Sequence, residues 1–170
     1  MAGLEDLYRE IILDHYRSPR NRGDLPTPPA VRAEGFNPLC GDEIVVYLEL
    51  GDGEGDERVI ENIRIGGQGC SISQASASMM SSSVKGHSVA TARHLMKAFK
   101  SMMSIHEQQL GDSDSDDESD HEHGDSDADA DDVNLGDLDA LRGVVKFPVR
   151  IKCATLSWNT LDQGIAEADA

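Results

Sequence analysis

The sequence predicts an α+β fold in which a small antiparallel sheet packs against helices. Two observations carry that class. Two neighbouring stretches show period-two apolar alternation and are joined by a short turn, and the stretches on either side repeat apolar residues at helical spacing. A length of 170 residues suits one domain spanning 1–170.

The elements follow in order. Leu4, Leu7, Tyr8, Ile11, Ile12 and Tyr16 share one face over residues 4–17, with Glu5, Asp6, Arg9, Glu10 and Asp14 opposite, which makes an amphipathic helix that Pro19 ends. Residues 18–38, rich in Pro, Gly, Asn and Arg, read as an irregular connection. Ile44, Val46, Leu48 and Leu50 line one face of a strand, and Val59, Glu61, Ile63 and Ile65 repeat the pattern after a turn at 51–56, giving a hairpin. Ser71 and Gln74 have the form of a capping box opening a helix dense in Ala, Ser and Met, which Gly86 stops. A helix over 88–109 turns Val89, Ala92, Leu95, Met96, Phe99, Met102 and Met103 inward. Leu135, Leu138, Leu141, Val144 and Val145 restart a periodic pattern. Pro148 then fits a first helical turn, and Cys153, Leu156, Leu161 and Ile165 mark a closing helix.

The net charge of −17 argues against unaided binding to nucleic acid or to an anionic membrane. Residues 112–132 hold twelve of the 32 acids and no Lys or Arg, so the rest of the chain carries only −5. The segment 111–134 is expected to be a disordered, solvated inserted loop, because it has too little apolar surface to offset the entropy of ordering. No apolar run approaches the ~20 residues of a membrane span, and the first residues lack the basic-then-apolar order of a signal peptide, so the cytoplasm is the expected location. Three cysteines, an odd number, argue against a disulfide framework.

Those cysteines carry the candidate chemistry. Cys40 lies in Asn37-Pro38-Leu39-Cys40-Gly41-Asp42, directly before a strand, where one turn presents a thiol and a carboxylate together. Cys70 follows Gly66-Gly67-Gln68-Gly69 at a helix N-terminus, whose amides and dipole favour a thiolate. Cys153 follows Arg150-Ile151-Lys152. Three thiolates and Asp42 are four donors of the types that suit tetrahedral Zn²⁺, the harder carboxylate being the more easily displaced. Gaps of 30 and 83 residues match no compact zinc finger, so the fold must bring three loops together. The competing reading of Cys153, on an apolar helical stripe, is a small buried hydrophobe. His15 and His94 read as packing or surface groups, His121, Glu122 and His123 as part of a solvated charge run, and Met96, Met102 and Met103 as core. Gly66 to Gly69 lacks the Lys and Ser/Thr of a phosphate loop.

Taken together, Leu7-Tyr8-Arg9-Glu10-Ile11-Ile12-Leu13-Asp14-His15-Tyr16, Asn37 to Asp42, Gly66 to Ser71 and Arg150 to Cys153 resemble the SufU branch of the IscU/NifU N-terminal family, over nearly all of the chain outside 111–134. The resemblance implies a three-stranded antiparallel sheet on helices, the third strand falling between Thr27 and Phe36, with a metal site at one exposed end. It implies one of two activities: assembly of an Fe–S cluster, or Zn²⁺-dependent relay of sulfur from a cysteine desulfurase. IscU scaffolds carry His before the third cysteine, where this chain has Lys152. SufU-type chains carry Arg three residues before it, matched by Arg150, and a long segment between the second and third cysteines, as here. The run of twelve acids departs from the family pattern.

The resemblance thus implies a zinc-dependent sulfurtransferase of Fe–S biogenesis, with Cys40, Asp42, Cys70 and Cys153 holding Zn²⁺. Cys40 would accept persulfide sulfur from a SufS-type desulfurase for delivery to a SufB/SufC/SufD-type scaffold. Arg150 would assist exchange, pairing with Asp42 when that carboxylate leaves the ion. The rivals are a scaffold collecting iron and sulfide into a [2Fe–2S] cluster on the same residues, and a purely structural zinc site.

Overall fold

The computed structural model describes residues 4–110 and 135–168. The acidic insertion expected at 111–134, with His121 and His123, lies outside the described residues. Helix α1 (Leu4–Arg17) leads into an antiparallel sheet of β1 (Val31–Asn37), β2 (Asp42–Leu50) and β3 (Ile60–Gln68), in that spatial order. Helices α2 (Ser71–Val84) and α3 (Val89–Leu110), a 3₁₀ helix at Gly136–Lys146 and α4 (Pro148–Ala168) complete it. Among the described residues no helix is long and apolar enough to cross a membrane.

The first strand stands where residue patterning gave an irregular connection. Its burial alternates, with Ala33 and Asn37 buried and Arg32, Glu34 and Phe36 exposed, but Gly35 and Asn37 on the inward face and Phe36 on the outward one leave little apolar signal. The family resemblance placed this strand correctly. The second strand alternates as read: Ile44, Val46 and Leu48 are buried.

In the third strand the expected face is wrong at its start. A register irregularity at Glu49/Leu50 sets Leu50 opposite Ile60 and Glu49 opposite Asn62, so Ile60 turns inward with Ile63 and Ile65 while Val59 is 40% exposed. A bulge adds one residue to one strand and so shifts the side-chain phase, which period-two counting cannot register.

Helix α2 begins at Ser71, yet its N-cap is Cys70, whose sulfur accepts from the Ser73 amide at 3.5 Å. The capping box expected at Ser71 and Gln74 is therefore displaced by one residue. A thiol can take the capping role because it supplies a weak acceptor to an otherwise unpaired amide. Helix α4 opens with Pro148 at its first position, as expected, since proline's missing N–H is no loss there.

Against one face of the sheet, α4 lies along β1. Gly164 lies against Ala33 and Leu48, Leu156 and Thr160 against Gly35, and Cys153 reaches Asn37. The core joins Ile44, Leu48, Ile60 and Ile63 of the sheet to Met79, Met80, Phe99, Met103, Trp158 and Leu161 of the helices. Trp158 stacks on Phe99 with ring centroids 5.6 Å apart, an aromatic pair that adds about 0.5–1.5 kcal/mol beyond its buried area.

His15 is a packed core histidine. It is 3% exposed and joins Ser78 Oγ through Nδ1 and Asp137 Oδ2 through Nε2, both at 2.8 Å. That pins α1 to α2 and to the 3₁₀ helix. His94 is on the surface, and the Met96, Met102 and Met103 stripe is core.

Candidate metal centre

The sheet register decides where two of the three cysteines go. Asn37 pairs with Asp42 across the β1–β2 hairpin, so Cys40 occupies its tip. Glu43 pairs with Gln68, so the end of β3 arrives beside the start of β2, and Cys70 follows two residues later at the same end of the sheet. Cys153, in the second turn of α4, comes down onto that end along β1.

The donors converge. Sulfurs of Cys40 and Cys153 lie 3.2 Å apart, and one donor atom from each of Cys40, Asp42 and Cys153 falls within 4.8 Å of the others. Cys70 is outside that tight set but joined to it, for its amide donates to Asp42 Oδ1 at 2.8 Å and its thiol interacts with Asp42 and Cys153. None of the three cysteines is in a disulfide. Cys153 is fully buried, as its reading as a small buried residue expects, and its sulfur also lies within hydrogen-bond distance of Cys40 and Asn37.

Each donor has a different setting. Asp42 is fully buried. Burial pushes its carboxyl up, but the Cys70 amide, the thiols of Cys153 and Cys70 and the Ser73 hydroxyl outweigh that and hold it below the usual carboxylate range. Gly69 makes room for it, since a Cβ there would collide with Asp42 Oδ1 and Ser73 Oγ. Burial above all, then Asp42 and Cys40, push the Cys153 thiol well above its ordinary value. Cys40 is half-buried, next to Gly41, whose φ of +66° is a left-handed turn conformation that glycine adopts without strain. Among the described residues its sulfur has one hydrogen-bond partner, Cys153.

Arg150 is exposed and directed at the sulfurs. Its interaction with Cys153, followed by those with Cys70 and Cys40, raises its pKa above the ordinary arginine value. In this arrangement it addresses the thiols, while Asp42 is held by the Cys70 amide.

The donor set fits zinc. Tetrahedral Zn²⁺ with Zn–S of about 2.3 Å and Zn–O of about 2.1 Å keeps its donors roughly 3.6–3.8 Å apart, a spacing that Cys40, Asp42 and Cys153 can meet, with Cys70, which contacts Asp42 and Cys153, as the fourth donor. A fully buried carboxylate among thiols, with no cationic side chain bonded to it among the described residues, is also an arrangement that a bound cation would compensate.

The model of the NifU-like N-terminal domain matches residues 7–120. The chain belongs to this family. It is 41% identical to the zinc-dependent sulfurtransferase SufU of Bacillus subtilis over 99% of this chain and 95% of that protein. It is 34% identical to the iron–sulfur cluster assembly scaffold protein IscU of Streptococcus pyogenes over 97% and 86%. A crystal structure from Fervidobacterium islandicum, named as an iron–sulfur cluster assembly scaffold protein for the SUF system, superposes with a TM-score of 0.66 at 29% identity over 95% of this chain and 98% of that one. Family members thus share this three-stranded sheet with its helices.

Two site residues escaped sequence reasoning. Asn37 was visible only as part of the motif around Cys40, and Ser73 carried no signal beyond its place in a serine-rich helix.

Proposed function

We propose that this protein is a zinc-dependent sulfurtransferase that accepts persulfide sulfur on Cys40 from a SufS-type cysteine desulfurase and passes it to an Fe–S assembly machinery of the SufB/SufC/SufD type in the cytoplasm. The observation that carries this reading is the unequal anchoring of the four donors. Asp42 is buried and held by the Cys70 amide, Cys70 caps α2, and Cys153 sits in the wall of α4, whereas Cys40 rides a half-buried hairpin tip. One donor is built to leave and three to stay.

Asp42, Cys70, Cys153 and Cys40 would hold the ion. When bound, zinc keeps the thiols deprotonated while itself undergoing no redox change. Once Cys40 has swung out of the site, its thiolate attacks the outer sulfur of the partner's cysteine persulfide. The S–S bond breaks, the partner's cysteine departs as thiolate, and Cys40 carries the new persulfide. Arg150, exposed beside the sulfurs, stabilises the anionic sulfur through this exchange.

The same residues are suited to receive iron and sulfide as a [2Fe–2S] cargo. Lys152, exposed where the scaffold branch carries histidine, favours the relay. The test is to add the zinc-loaded protein to its cognate desulfurase with cysteine. Accelerated alanine release supports the relay, whereas no acceleration together with reconstitution of a transferable cluster overturns it.

A further inference from the structure

Asn37 is the last residue of β1 and is 6% exposed. Its side chain is used at both ends. Nδ2 lies 3.4 Å from Asp42 Oδ2 and 3.6 Å from Cys153 Sγ, the longer distance being ordinary for a sulfur acceptor. Oδ1 accepts from the Leu39 amide at 3.3 Å, a local turn of the kind asparagine favours. That turn sets the direction in which the next residue, Cys40, leaves the strand.

The chemistry of the amide suits this place. Its NH₂ offers two donors to two acceptors, and its carbonyl serves the turn. It is neutral, so it adds no charge beside the buried carboxylate of Asp42. A carboxylate in its place would have no hydrogen to give, and a hydroxyl would be too short to span from the turn to α4.

We infer that Asn37 is a positioning residue of this site: it ties together the two deepest donors, Asp42 and Cys153, while shaping the turn that carries Cys40. Its consequence for sulfur transfer rests on the relay proposed above. Its effect on the donors is measurable in the protein alone.

The experiment uses the full chain with zinc or cobalt as the probe. In Asn37→Asp, which keeps the acceptor but loses the donor, and in Asn37→Ala, zinc should pass to a chromophoric chelator about 10- to 100-fold faster than from the unaltered protein, the usual cost of losing a partner of a metal ligand. The thiolate-to-cobalt charge-transfer band of the Co²⁺ form should shift in both. Zinc release within twofold of the unaltered protein and an unchanged cobalt spectrum would overturn the inference.

Should the variants not fold, the side-chain amide resonances of Asn37 in the unaltered protein give the answer. They should move on zinc loading and exchange slowly with solvent; unmoved, fast-exchanging resonances would refute the role. If the unaltered protein fails to stimulate the desulfurase while the variants lose zinc rapidly, the relay falls and the positioning role stands. Stimulation by the unaltered protein with no change in zinc release in the variants does the reverse: the positioning role falls and the relay stands.

Discussion

The sulfurs of Cys40 and Cys153 are 3.2 Å apart although 113 residues separate them in the chain. One sits on a hairpin tip and the other in a helix wall, so the two meet only in the folded protein. Their settings predict different behaviour on substitution. Cys40→Ala removes a half-buried side chain on a surface turn and should change the stability of the metal-free protein by less than about 1 kcal/mol. It should nevertheless abolish desulfurase stimulation, read as alanine release with cysteine present. A Cys40→Ala protein that stimulates fully would remove Cys40 as the sulfur acceptor.

Gly69 supports the site without offering a donor. Gly69→Ala would drive a methyl into Asp42 Oδ1 and Ser73 Oγ, one a candidate ligand and the other in the first turn of α2. Overpacking of this kind costs about 1–3 kcal/mol, and here the strain falls on the carboxylate. Gly69→Ala should show a lower melting temperature and bind less than one zinc per chain by elemental analysis. Full occupancy with an unaltered melting temperature would show that Asp42 has room to spare.

Arg150 offers a cleaner separation of function from folding, because it is exposed and its side chain interacts with the three thiols. Arg150→Gln should fold and melt as the unaltered protein does, yet lose about tenfold or more in the rate of sulfur acceptance, the scale of one charge-assisted contact. Arg150→Lys should recover only part of it, since an ammonium lacks the planar fork of a guanidinium. Equal rates in all three proteins would leave Arg150 without a part in transfer.

Much of this was legible in the residues. Helical and period-two spacing located α1, β2, α3 and α4, because each has one continuous apolar face. What escaped was set by neighbours rather than by spacing. The phase of β3 depends on an irregularity opposite Leu50, and β1 is held by pairing with β2 and by α4 lying across Gly35. The N-cap role of Cys70 was hidden because Ser71, the more usual capping residue, stands beside it. Convergence of the donors was equally invisible in gaps of 30 and 83 residues. The register of a hairpin and the path of one helix produce it, and Asn37 enters the site through that same register.

The metal-free protein should become less stable in alkali. Burial, Asp42 and Cys40 raise the folded thiol of Cys153 above its ordinary value of 9.0, so below about pH 9 its contribution is fully present. Above that, the unfolded chain loses the proton first and stability falls as pH rises toward the folded value. Chelator-treated protein should therefore lose melting temperature between about pH 9 and 10.5, and Cys153→Ala should lose less over the same range. An equal decline in the two proteins would assign the effect elsewhere.

X-ray absorption at the zinc edge of the loaded protein reads whether Cys40, Asp42, Cys70 and Cys153 surround one ion. The prediction is one zinc per chain with three sulfurs at about 2.3 Å and one oxygen near 2.1 Å, the sulfur count falling to two in Cys153→Ala. A shell of nitrogen and oxygen donors, or a sulfur count that Cys153→Ala leaves unchanged, would contradict it.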